Sequence, residues 1–286
     1  MEVVPHTDVG EFARLARPLL EADPVRHTIA LTALDALCRG REEAGLLLTV
    51  HDDAGLAGVV LRTTGWPLVL SALPPALADL VAAHVRATCH EVDAANGPVT
   101  SVEAFAAAYT ARTGATVHVA MRERLFRLST LVPPSGVAGA ARRAEPRDVD
   151  LLATWQLAFL HEAVAALRPP SDPRPAVHDA VTRGGLVLWE VDGRPVAYAT
   201  ARRPLAGTSR VGPVYTPPEH RGQGYGAAVT AAATRWALDH GARHVALFTD
   251  LANPTTNRLY PRLGFRPVHD ALEVRFVSRP EPAPPG

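Results

Sequence analysis

The sequence predicts an α/β chain made of two copies of one unit, and three observations point there. Two segments resemble each other without a gap: Gly45-Leu46-Leu47-Leu48 runs into Asp52, and Gly185-Leu186-Val187-Leu188 runs into Asp192. Each reads as an apolar strand, a tight polar turn (51–55, 191–194) and a second apolar strand ending at Arg62 or Arg202, which is a β-hairpin. Each hairpin follows a helical stretch, residues 26–38 in the first half and 148–167 in the second. Between the halves, residues 132–144 carry Pro133-Pro134, Ser135-Gly136 and small residues and read as a linker. The expected division is therefore a first domain over 1–132, a linker over 133–144, a second domain over 145–278 and a disordered, proline-rich tail over 279–286.

Composition narrows the function. Hydrophobic residues at 47% and charged residues at 20% are those of a globular chain long enough for two domains. The formal net charge is zero, so no global field draws in nucleic acid or an anionic membrane. No apolar run reaches the ~18 residues that span a bilayer, and the N-terminus lacks a basic region followed by an apolar one. Cys38 and Cys89 sit in apolar helical patterns, which predicts buried free thiols and a cytoplasmic setting. All 29 basic residues are arginine, which excludes a Schiff-base lysine and a phosphate-loop lysine. His240 and His244 flank a glycine turn instead of sharing a helix face, and the other histidines are scattered, so no metal site is expected.

The second half is legible element by element. Residues 210–215 read as a third strand, followed by a segment rich in proline and charge. A helix is expected over 224–240, with Tyr225, Val229, Ala232 and Trp236 on one face and Gly241 as its stop. Residues 243–249 form a buried-type strand. Asn253 then suits an N-cap with Pro254 at the first helical position, and Gly264 closes that helix. A last strand is expected over 271–278.

The sharpest local signal is Arg221-Gly222-Gln223-Gly224-Tyr225-Gly226, between a strand and a helix. Glycine there lets the backbone approach a ligand, and the helix start adds free N–H groups and the positive end of its dipole, a nest for a diphosphate. Gly222-x-Gly224-x-x-Ala227 also fits a dinucleotide fingerprint, with Asp250 closing the next strand. That fingerprint wants its first glycine directly after the strand, whereas Pro217-Pro218-Glu219-His220-Arg221 intervene here.

Residues 214–226, Val214-Tyr215-Thr216 through Arg221-Gly222-Gln223-Gly224-Tyr225-Gly226, resemble the acyl-CoA-binding motif of the GCN5-related N-acetyltransferases, Gln/Arg-x-x-Gly-x-Gly/Ala. Residues 253–265, with Asn253, Asn257, Tyr260 and Gly264, are similar to that family's second cofactor motif, one helix and one strand further on. The resemblance implies a mixed, mostly antiparallel sheet flanked by helices in each of two tandem domains, and transfer of acetyl from acetyl-CoA to an amine on a small molecule or peptide. It also implies that the main chain at Val214, Tyr215 and Thr216 pairs with pantetheine and that the amides from Gly222 through Ala227 hold the diphosphate beside Arg221. Asn253 and Asn257 would lie against the cofactor arm, and Tyr260 by the sulfur as general acid. Pro261, inside that helix, departs from the pattern because it removes a bond to the Asn257 carbonyl.

The first half resembles the same family weakly. Where the glycine loop should follow strand 66–73, the chain reads Pro74-Pro75-Ala76-Leu77-Ala78, which predicts a degenerate copy and a single cofactor site. An amine of pKa ~10 is mostly protonated at neutral pH, so a base is expected, with Glu219 beside the loop in that role and Glu162, Glu190 and Asp250 as further candidates. The alternative is an acyl-CoA-binding sensor without turnover.

Overall fold

The protein is described from a computed structural model that covers residues 1–88, 91–163 and 172–277. In chain order its elements are β1 (Glu2–Pro5), α1 (Val9–Ala22), α2 (Thr28–Cys38), β2 (Ala44–Asp52), β3 (Gly55–Thr63), β4 (Leu68–Ala72), α3 (Ala78–Ala87), β5 (Ala94–Pro98), α4 (Val99–Thr113) and β6 (Thr116–Leu128). They continue with β7 (Ala140–Arg143), α5 (Val149–Ala163), α6 (Arg174–Arg183), β8 (Leu186–Val191), β9 (Arg194–Ala201), β10 (Thr208–Tyr215), α7 (Tyr225–Asp239), β11 (His244–Asp250), α8 (Pro254–Arg262) and β12 (Phe265–Val277).

The chain divides into two compact units, one of Met1–Glu123 with His269–Gly286 and one of Arg124–Val268. Their strand patterns repeat. In the first unit β2 and β3 form a hairpin, β4 lies antiparallel to β3, and β5 pairs in parallel with β4. In the second unit β8 and β9 form the hairpin, β10 lies antiparallel to β9, and β11 pairs in parallel with β10. A helix joins each parallel pair, α3 in the first unit and α7 in the second. This is the duplicated, mostly antiparallel α/β unit that the hairpin repeat predicts.

The observed boundaries differ from those expected at 133–144 and at the C-terminus. Residues 269–277 belong with the first unit: Ala271 to Arg275 of β12 pair antiparallel with Pro98 to Ala94 of β5. Leu272, Val274 and Phe276 join that unit's core. Alternation along a strand reveals that one face is buried but not which sheet buries it. Residues 140–143 of the expected linker are β7, paired with β8. The helix expected over 148–167 is seen as Val149–Ala163, and residues 164–167 lie outside the described residues, as do Ser278 and the tail over 279–286. Cys38 is exposed, contrary to the buried thiol expected, because it is the last residue of α2, where the helix leaves the core. Cys89 lies outside the described residues.

Both faces of the second unit's sheet are covered, and the alternation in β9 assigns them. Ala197, Ala199 and Ala201 pack with Val229, Ala233 and Trp236 of α7. Tyr198 points the other way, into a cluster with Leu152, Val177 and Val181 of α5 and α6 and with Tyr215 of β10. The alanines let α7 approach the sheet closely, and the opposite face is built from rings.

Candidate functional site

In the second unit β10 and β11 begin as neighbours and then part. Thr208, Ser209 and Arg210 face His244, Val245 and Ala246 in parallel register, and among the described residues the pairing ends there. On its other side β10 stays with β9 through Tyr215, across a register shift between Val211 and Val214. The β11-facing edge of residues 211–215 is therefore left without a strand, and its main-chain groups are open to an extended ligand.

The glycine loop follows that open edge. Gly222 and Gly224 hold φ of 80° and 85°, the left-handed region that side chains disfavour. The Arg221 amide donates to the Pro218 carbonyl, and the first helical amide to bond back is Ala228, to Gly224 at 3.1 Å. Among the described residues no side chain caps α7. The amides from Gly222 to Ala227 thus have no acceptor among the described residues, at the positive end of a 15-residue helix. The surroundings of the three glycines differ. A Cβ on Gly222 would meet nothing within 4 Å, one on Gly224 would stand 3.1 Å from Val137 Cγ2, and one on Gly226 3.4 Å from Thr216 Oγ1. Gln223 turns its side chain back onto the helix, where Oε1 accepts from Tyr225 Oη at 2.9 Å.

Arg221 braces the start of the loop. Its Nε donates to the Thr216 carbonyl at 2.9 Å and its Nη2 to Glu162 Oε2 at 2.6 Å, and the guanidinium carbon lies 5.8 Å from the centre of the Tyr215 ring. The Tyr215 hydroxyl donates to the other Glu162 oxygen at 3.1 Å. Burial is the main influence that raises the Tyr215 pKa, and this carboxylate adds to it. Glu162 therefore acts as a bridge, a role that no local motif in the sequence signals.

The second motif builds the start of α8. Asn253 Oδ1 accepts from the Thr255 and Thr256 amides at 3.1 and 3.2 Å, so this side chain caps the helix. Asn257 Nδ2 faces the carbonyls of Asp250, Leu251 and Asn253 at 2.9, 3.2 and 2.8 Å, while its Oδ1 is buried without a partner among the described residues. The helix runs on through Pro261 to Arg262. Tyr260 is buried, with its ring centre 6.3 Å from that of Phe126 and 6.1 Å from that of Phe265. Its hydroxyl has no hydrogen-bond partner among the described residues, and burial pushes its pKa up to about 12.

The candidate bases divide by what already holds them. Glu190 is paired with Arg142 at 2.7 Å, and Arg142 also grips Asp148 through both oxygens at 2.6 and 2.9 Å. Asp250 Oδ1 accepts from the Ala252 amide at 2.8 Å, and Glu162 is the bridge described above. Glu219 is exposed, in the turn Pro218–His220 just before the loop, with no side-chain hydrogen bond or ion pair among the described residues. In the first unit the segment between β4 and α3 is a turn over Pro75–Leu77, preceded by Pro74. Two consecutive prolines remove the donors that an amide nest needs.

Residues 152–265 match the family model described as Acetyltransferase (GNAT) family. No functionally curated protein matches the chain. Among solved structures, an acetyltransferase from the GNAT family of Colwellia psychrerythraea aligns with a TM-score of 0.63 at 14% identity, covering 98% of this chain and 100% of that one. A GCN5-related N-acetyltransferase from Sphaerobacter thermophilus aligns at 0.61 and 16% identity, covering 97% and 96%. A tandem GNAT protein from the clavulanic acid biosynthesis pathway aligns at 0.57 and 15% identity, covering 97% and 98%. Residues 152–265 thus match the model of the GNAT acetyltransferase family, within a chain whose fold aligns with that of a tandem GNAT protein.

Proposed function

We propose that the chain transfers an acetyl group from acetyl-CoA to an amine on a small molecule or peptide, at the cleft where β10 and β11 part. The observation that carries this reading is the open edge of β10 leading, through the turn Pro218–His220, to the amides of residues 222–227, which have no acceptor among the described residues. Such an edge suits an extended pantetheine arm, and such a helix start suits a diphosphate. Asn257 Oδ1, without a partner among the described residues, is the kind of acceptor that a pantetheine amide N–H would satisfy. Asn253 supports this arrangement indirectly, by holding the start of α8.

Bound acetyl-CoA supplies an activated thioester; the protein's own groups bind, orient and move protons. Glu219, unlike the other carboxylates considered, has no side-chain hydrogen bond or ion pair among the described residues, and we assign it to take the proton of the acceptor amine, directly or through water. Tyr260, kept protonated by burial, is assigned to donate to the departing thiolate.

The test is direct. Incubation with acetyl-CoA and a panel of amines should release free CoA thiol, and calorimetry should give one acetyl-CoA per chain. Tight binding without turnover on any acceptor would favour a sensor instead of an enzyme, and a stoichiometry of two would sink the single-site reading.

A further inference from the structure

Glu162 stands on the last turn of α5, far in sequence from the acyl-CoA loop, yet both of its oxygens are committed to that loop's root. Oε2 takes the Arg221 guanidinium at 2.6 Å and Oε1 takes the Tyr215 hydroxyl at 3.1 Å. Arg221 in turn fixes the Thr216 carbonyl at 2.9 Å and lies over the Tyr215 ring. The end of β10, the residue just before Gly222 and α5 are thereby joined through one carboxylate.

The loop needs such a brace. With glycines at 222 and 224 ahead of the helix and no side-chain cap among the described residues, the backbone just before α7 has wide intrinsic freedom, and binding must order it. An anchored Arg221 removes part of that freedom in advance, and Glu162 is what anchors it against solvent.

We propose that Glu162, held by the Tyr215 hydroxyl, is a positioning residue for the acyl-CoA loop, acting through Arg221 to set the amides of residues 222–227 before the diphosphate arrives. The proposal rests on the reading above that this loop binds acyl-CoA. It assigns Glu162 to cofactor affinity and removes it from the candidate bases. The pair is half exposed, at 47% and 46% of side-chain area, so its effect is modest and weakens at high salt.

The experiment is calorimetric titration of CoA into the full chain as wild type, Glu162→Gln, Arg221→Ala and the double variant. Glu162→Gln keeps the shape and removes the charge, and should weaken CoA binding roughly two- to fivefold. The double variant should bind no worse than Arg221→Ala alone, because Glu162 acts through that residue. S-acetylpantetheine, which lacks the diphosphate and the nucleotide, should show the same KM with wild type and Glu162→Gln. Unchanged CoA affinity in Glu162→Gln, a defect that simply adds to that of Arg221→Ala, or an equal defect with S-acetylpantetheine overturns the positioning role. Failure of the wild type to bind CoA overturns the acyl-CoA reading as well, which distinguishes the two.

Discussion

Asn257 Nδ2 donates to the Asp250 carbonyl at 2.9 Å, and this bond turns the other end of the same amide, Oδ1, into a buried acceptor with no donor among the described residues. The carbonyls of Leu251 and Asn253 crowd the same nitrogen and fix which end of the amide is which. One side chain therefore holds the turn between β11 and α8 and leaves an oxygen for a ligand. Asn257→Ala removes both, and we expect a stability loss of ~1–3 kcal/mol together with weaker CoA binding. Melting and titration of the same variant separate the two roles. A destabilised Asn257→Ala that binds CoA as tightly as the wild type would mean that Oδ1 has no part in the ligand site.

The three loop glycines should not respond alike. Gly222 has open space around a built Cβ, so Gly222→Ala bears only its positive φ, about 1 kcal/mol. Gly224→Val adds a clash with Val137 to the same backbone penalty and covers the amides as well. CoA affinity should fall ~10²-fold or more in Gly224→Val, about 3 kcal/mol. Gly226→Val, on the first turn of α7 beside Thr216, should also weaken CoA binding. Titration checks the order, and retained affinity in both valine variants would place the diphosphate elsewhere.

Tyr260→Phe tests the proposed acid without disturbing the core. The ring keeps its neighbours Phe126 and Phe265, and the lost hydroxyl has no partner among the described residues, so the melting temperature should hardly move. If Tyr260 donates to the leaving thiolate, kcat should fall ~10- to 10³-fold with little change in the acetyl-CoA KM. With its pKa pushed up to about 12, the phenol stays protonated well above neutral pH, so loss of rate near pH 9 would come from another group. Near-full kcat in Tyr260→Phe, measured where chemistry limits the rate, would rule the tyrosine out as the acid.

Local chemistry was legible in the sequence, and long-range pairing was not. Asn253 with Pro254 announced the start of α8 because a cap is decided by adjacent residues. The hairpins and the glycine loop were readable for the same reason. The first unit's recruitment of β12 was not, since Val274 carries the same apolar signal whichever sheet it meets. Helix α6 also escaped notice: Val177 and Val181 face the core, but Arg174, His178 and Arg183 make its composition polar. Glu162 looked like any surface carboxylate, because a bridge to Tyr215 and Arg221 exists only once α5 and β10 are folded together.

The first unit should be acid-sensitive in a window set by His27. This side chain is 8% exposed, sits within 3.3 Å of Ser71 Oγ, and has its pKa lowered to about 4, chiefly by burial. Asp23 opposes the shift, while Arg26 and His269 reinforce it; His269 is lowered too, by burial and then by Arg26. In the unfolded chain the imidazole takes a proton near pH 6.5. Between about pH 6.5 and about 4 the unfolded state therefore holds a proton that the folded state refuses, and stability must fall as pH falls through that range. A shift of this size corresponds to about 3 kcal/mol. Asp148 behaves differently, because its hydrogen bonds from Arg142 hold its carboxyl below the usual range. Its contribution is complete above about pH 4 and is lost only as pH falls through its lowered value. Denaturant melts across pH on wild type and His27→Gln should separate the two limbs. The glutamine cannot titrate, so the loss between pH 6.5 and 4 should shrink while the loss below it remains. If both proteins lose stability in parallel from pH 6.5 downward, the titration of His27 is not the cause.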